Sequence, residues 1–134
     1  MAKLSDIEGI GETYANKLKN AGIGSTQALL DSGSSKKGRK KIAEESGVSE
    51  KRVLAWVNRA DLSRIKGVST QYADLLEAAG VDTVPELAQR NAENLQAKMV
   101  EVNADKHLVR QVPGATTVMD WVAQAKALPR VITH

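Results

Sequence analysis

The sequence predicts an all-α chain built of two tandem repeats of short helices, packed as one compact unit. Three observations predict it. The stretch Ile7–Leu18 returns as Ile65–Leu76, with apolar, glycine, tyrosine and alanine positions all displaced by 58 residues (65 − 7, 67 − 9, 72 − 14 and 80 − 22). Apolar residues recur at helical spacing between residues that cap and stop helices. No stretch keeps the period-2 alternation of a half-buried strand. The repeats divide the chain at residues 1–61 and 62–134.

Taken in order, Leu4-Ser5-Asp6-Ile7 reads as a short helical turn feeding Glu8-Gly9-Ile10-Gly11. Gly9 and Gly11 are expected to bracket a turn too tight for a Cβ, where positive φ is cheap only for glycine. The turn opens a helix from about Glu12, on which Tyr14, Ala15, Leu18 and Ala21 form one apolar stripe. Gly22 stops it. Ser25 or Thr26 caps a short helix through Leu29 and Leu30. Ser32-Gly33-Ser34-Ser35 is a polar turn before a helix from Lys36 to Glu45, which Gly47 ends. Ser49 caps the next helix, whose inward stripe is Val53, Trp56, Val57 and Ala60. No Pro, Gly or Ser cluster separates Ala60 from Ile65, which predicts that the repeats pack directly on each other.

The second copy repeats the plan. Its first helix runs from about Thr70 to Ala79, and Gly80 stops it. Asp82 or Thr83 caps a short helix with Pro85 near its start, a favoured position. Asn91 or Asn94 begins the next, with Leu95, Met99 and Val102 inward. The segment from Asn103 to Gly114 has no counterpart in the first copy and reads as an insertion. Thr116 or Thr117 caps the final helix, with Val118, Trp121, Val122 and Ala125 inward. Ile132-Thr133-His134 reads as a short tail. Around ten short helices are expected in all. Trp56, Trp121, Tyr14 and Tyr72 read as packing residues, and Met99 and Met119 as gap fillers.

The repeated segment resembles the helix-hairpin-helix motif, apolar-x-Gly-apolar-Gly-x-x-x-Ala-x-x-Leu. Ile7, Gly9, Ile10, Gly11, Ala15 and Leu18 match every position. Ile65, Gly67, Val68, Ala73 and Leu76 match in the second copy, where Ser69 replaces the second glycine and is placed to cap the helix with its hydroxyl. The duplicated plan and the ending Trp121-Val122-x-x-Ala125-Lys126-x-Leu128-Pro129 resemble a bacterial family of tandem helix-hairpin-helix units catalogued as a domain of unknown function. The motif implies a grip on the sugar-phosphate backbone of DNA through main-chain N–H groups. The family label implies the fold and no activity.

Composition narrows the chemistry. The 134 residues contain no Cys, which excludes disulfides, thiolate metal sites and cysteine nucleophiles, and fits a reducing cytoplasm. The N-terminus lacks the apolar core of a signal peptide, and no apolar run approaches the length of a membrane span, so a cytoplasmic location without membrane contact is expected. Net charge is +3. Residues 1–61 hold eleven Lys/Arg against eight Asp/Glu, and residues 62–134 hold eight of each, so the whole excess lies in the first repeat. His107 and His134 have no carboxylate partners at metal-ligand spacing, and no nucleophile elbow, Walker pattern or zinc-ligand cluster occurs. No catalytic residue, metal or cofactor is expected.

Two features point to a polyanion. The free N–H groups around Gly9-Ile10-Gly11, with the Thr13 hydroxyl and the Lys17 charge, suit a phosphate. Gly67-Val68-Ser69-Thr70 is the weaker second copy. Glu8 and Glu12 work against the first site, and an acidic residue at a helix start stabilises it without any ligand. The run Lys36-Lys37-Gly38-Arg39-Lys40-Lys41 puts five positive charges in six residues at a helix start. There they oppose the helix dipole, so local stability does not favour them. Lys51, Arg52 and Arg59 extend the patch, and Glu44, Glu45 and Glu50 interrupt it. The expected function is a non-enzymatic, largely sequence-independent module that grips the DNA backbone. The rival is a protein-protein interaction or self-assembly module that reuses the fold without nucleic acid, supported by the neutral second half and the altered second turn.

Overall fold

Capping side chains decide where most of these helices begin. The computed structural model describes Leu4, Ile7 and residues 10–133; Gly9, Glu8 and His134, named above, lie outside the described residues. Eight α-helices occur among the described residues: α1 (Glu12–Asn20), α2 (Thr26–Ser32), α3 (Lys36–Ser46), α4 (Glu50–Leu62), α5 (Thr70–Ala78), α6 (Val84–Ala88), α7 (Ala92–Lys106) and α8 (Ala115–Ala127). The Ser25, Ser35, Ser69, Thr83 and Asn91 side chains each accept from an amide in the first turn of the helix that follows. The Ser49 hydroxyl does the same for Arg52 N–H at 3.3 Å.

The chain forms two compact units. The first comprises the residues up to Asp61 together with 131–133, and the second is Leu62–Arg130. In the first unit α1 and α2 pack against α3. Its core joins Leu18, Leu29, Ile42, Val53, Trp56 and Val57. The second unit packs α8 against α6 and α7, and α7 against α5. Its core joins Leu75, Leu76, Leu87, Leu95, Met99 and Trp121. Each fully buried aliphatic side chain contributes roughly 1.5–3 kcal/mol relative to exposure.

Corresponding parts recur inside each unit. The bounds of α1 and α5 differ by 58 residues at both ends. The Tyr14 and Trp56 rings lie 5.2 Å apart at 59°, and the Tyr72 and Trp121 rings 5.4 Å apart at 54°. Both tryptophans are buried, as their spacing predicts. Gly22 and Gly80 take positive φ just past α1 and α5.

Several expectations need correction. Residues 131–133 are not a free tail: Ile132 is 2% exposed in the first unit's core, and Thr133 N–H donates to the Ser34 carbonyl at 2.7 Å. Among the described residues there are eight α-helices against the ten or so expected, partly because α7 runs through Asn103 to Lys106. Asn103 does not break that helix, because its amide bonds both the N–H and the carbonyl of Val109 and folds the following loop back onto it. Gly114, not a threonine, precedes α8. Met119 is 56% exposed and fills no gap.

Candidate nucleic-acid interface

The turn before α1 and the turn before α5 start alike and end differently. Gly67 has φ +94°, a conformation that favours glycine, and an added Cβ would press on Trp121 Nε1 at 3.1 Å. Gly11 contradicts the tight-turn expectation. It has φ −83° and ψ −177°, extended backbone open to any residue, and an added Cβ would meet nothing within 4 Å. What glycine removes at this position is a cap. Ser69 Oγ accepts the Tyr72 N–H at 3.3 Å, whereas Gly11 offers no side-chain acceptor to α1. The N–H groups of Gly11, Glu12, Thr13 and Tyr14 therefore have no partner among the described residues and end α1 with its positive dipole exposed.

Ile10 and Val68 anchor these turns from inside. Both are buried, and their N–H groups donate to the carbonyls of Ile7 and Ile65, so neither amide is free for a ligand. Thr13 is exposed in the uncapped first turn together with Glu12, and Lys17 is exposed in the last turn of α1. In the second unit Gln124 clamps the turn by accepting from Lys66 N–H at 2.8 Å and donating to the Lys66 carbonyl at 3.1 Å.

Tyr14 collects cations on the first unit. Lys17 Nζ lies 5.6 Å and the Arg52 guanidinium 5.2 Å from the centre of its ring, within the range of cation–π attraction. The sequence marks Tyr14 only as a packing residue. Its second role depends on α4 carrying Arg52 to α1, a contact across 38 residues (52 − 14) that local spacing does not reveal. Tyr72 has different company: its hydroxyl donates to the Gln111 carbonyl at 3.3 Å, and a groove of about 600 Å³ between it and residues 107–111 adjoins Ser69. Thr70 is half-buried beside it.

The basic run divides between two faces of α3. Lys36, Lys37, Lys40 and Lys41 are exposed, and Lys41 Nζ approaches Glu45 at 4.0 Å. Such an exposed pair adds little to stability. Arg39 departs from the cluster. It is 6% exposed, and its guanidinium donates to the carbonyls of Gly33 at 2.9 Å and Thr133 at 2.8 Å. Burial holds it below the ordinary arginine pKa, yet a guanidinium stays protonated at any pH at which proteins fold. Its charge serves the fold before any ligand.

The first turn of α4 links these features. Lys51 lines a groove of about 390 Å³ with Lys36, Arg39, Glu50 and Leu54. Arg52, the next residue, lies over Tyr14 on α1. The start of α4 therefore meets α3 through Lys51 and α1 through Arg52. No group of three or more His, Cys, Asp or Glu able to hold a metal occurs among the described residues. No helix among them is long and apolar enough to cross a membrane.

A family model described as domain of unknown function (DUF4332) matches residues 8–128, and the chain belongs to that family. No curated protein and no solved structure matches it.

Proposed function

We propose that this member of a family of unknown function is a non-enzymatic module of tandem helix-hairpin-helix units that binds the phosphate backbone of DNA with little regard to sequence. The observation that carries the reading is the asymmetry between the two turns. Where the second unit spends a serine hydroxyl on capping α5, the first leaves the amides at the start of α1 open beside Thr13, and Lys17 and Arg52 gather over the Tyr14 ring on the same helix. The net positive charge falls in the same unit. An uncapped helix start suits a phosphate, although Glu12 in its first turn opposes one, and the exposed lysines of α3 extend the contact along a strand. The second unit, neutral and with Ser69 capping the helix that corresponds to α1, serves as support.

Lys36, Lys37, Lys40 and Lys41 changed together to Ala, with Arg39 kept for its structural bonds, test the electrostatic part. Fluorescence anisotropy on a labelled random duplex at low salt is expected to show binding weakened by at least about tenfold, since several phosphate contacts are lost at once. Unfolding by urea should be nearly unchanged, because all four lysines are exposed. Wild-type affinity in this variant would remove the cluster from the interface.

A further inference from the structure

Residues 131–133 are the part of the chain that its composition explains least. They follow the second unit in sequence yet belong to the first. Ile132 is 2% exposed in the core that contains Trp56 and Ile42. Thr133 N–H and its hydroxyl both donate to the Ser34 carbonyl, at 2.7 and 3.3 Å. The Thr133 carbonyl accepts from Arg39 at 2.8 Å. Ser34 immediately precedes Ser35, whose hydroxyl caps α3 by accepting the Gly38 N–H at 3.1 Å. One short segment therefore bonds both the residue next to the cap of the lysine-bearing helix and the buried arginine on its inner face.

Arg39 sharpens the point. It has no carboxylate within ion-pairing distance among the described residues, and its two bonds go to neutral carbonyls. A buried cation in that state depends on each acceptor it has. Loss of the Thr133 carbonyl leaves it with Gly33 alone. Arg39 also lines the groove shared by Lys36 and Lys51, so whatever fixes Arg39 fixes the back of the cationic surface.

We propose that residues 131–133 act as a strap that regulates the phosphate-binding surface, with strap docking and polyanion binding coupled through Ser34 and Arg39. The proposal rests on the DNA-binding reading for its ligand, though not for the strap itself. The docked strap holds the first turn of α3 in the form that presents Lys36 and Lys37. Its release loosens that turn and exposes the apolar site of Ile132. Linkage is reciprocal, so a bound polyanion must in turn tighten the strap.

The test uses the full chain and two variants. Ile132→Asp expels the strap by placing a charge in the core. Arg39→Met keeps an apolar stem and removes the tether. Amide hydrogen exchange is measured residue by residue, without and with a short random duplex at low salt. In both variants the Thr133 amide and the amides of α3 are expected to exchange about tenfold faster or more, the scale of losing one bond to a charged group. The amides of α5 to α8 should keep wild-type rates. In the wild type, the duplex should slow Thr133 exchange, although that residue carries no cation. Unchanged α3 exchange in both variants would overturn the strap. Faster exchange with unaltered duplex affinity would overturn the coupling. Absence of duplex binding by the wild type would overturn the DNA reading and the coupling with it, while the exchange rates still decide whether the strap orders α3.

Discussion

Gly11 is a glycine without a steric reason. Its backbone is extended, an added Cβ meets open space, and its counterpart Ser69 shows that a serine is tolerated in the same setting. Gly11→Ser therefore separates folding from function. The new hydroxyl should cap α1, holding or raising stability by a few tenths of a kcal/mol in thermal unfolding. By occupying a first-turn amide, it should weaken duplex binding by roughly fivefold, the worth of about one hydrogen bond. Undiminished binding would take the α1 amides out of the interface. Residues that act locally were largely legible in the sequence: Ser49 reads as a cap, Ser25, Thr83 and Asn91 are each one of two candidates, and Ser35 reads only as part of a polar turn. Arg39 was not legible. It reads as one of five like charges, and the partner that makes it structural, Thr133, is 94 residues away.

At the scale of elements, α3 shows how one helix serves two purposes. Its outer face carries lysines, and its inner face carries Arg39 and Ile42. The helix sits close against the end of α2, because Gly38 lets the two backbones approach: an added Cβ would strike the Ser32 carbonyl oxygen. In an ordinary helix interior Gly→Ala stabilises by about 1 kcal/mol. Here Gly38→Ala is expected to reverse that sign and destabilise by roughly 2–3 kcal/mol, as overpacking against backbone does. Urea unfolding monitored by Trp fluorescence measures it; a stabilised variant would mean that α3 does not pack in this way. The order and type of the helices were readable from apolar spacing, caps and stop glycines. The length of α7 was not, because Asn103 and the loop from His107 look like a break until Val109 is seen closing onto the helix. The role of residues 131–133 was hidden for the same reason: a short apolar pair carries no period from which a core position can be inferred.

For the whole molecule, the decisive property is that charge is unevenly placed. The first unit carries the net +3 and leaves α1 uncapped; the second is neutral and caps the corresponding helix, α5, with Ser69. Both units solve the same packing problem, with an aromatic pair of nearly the same geometry, so the difference between them lies on their surfaces. Exposed cations, among them Lys17, Lys36, Lys37, Lys40, Lys41, Lys51 and Arg52, stand on the first unit on α1, α3 and the start of α4. The most direct measurement is the affinity of the wild-type chain for a labelled random duplex across a salt series. Contact by most of these cations predicts binding at low salt that falls with a log–log slope of roughly −3 to −5, at about −0.9 per phosphate neutralised, and that is indifferent to base sequence. No binding at low salt, or binding with no salt dependence, would contradict the assignment of the first unit as a phosphate-backbone grip.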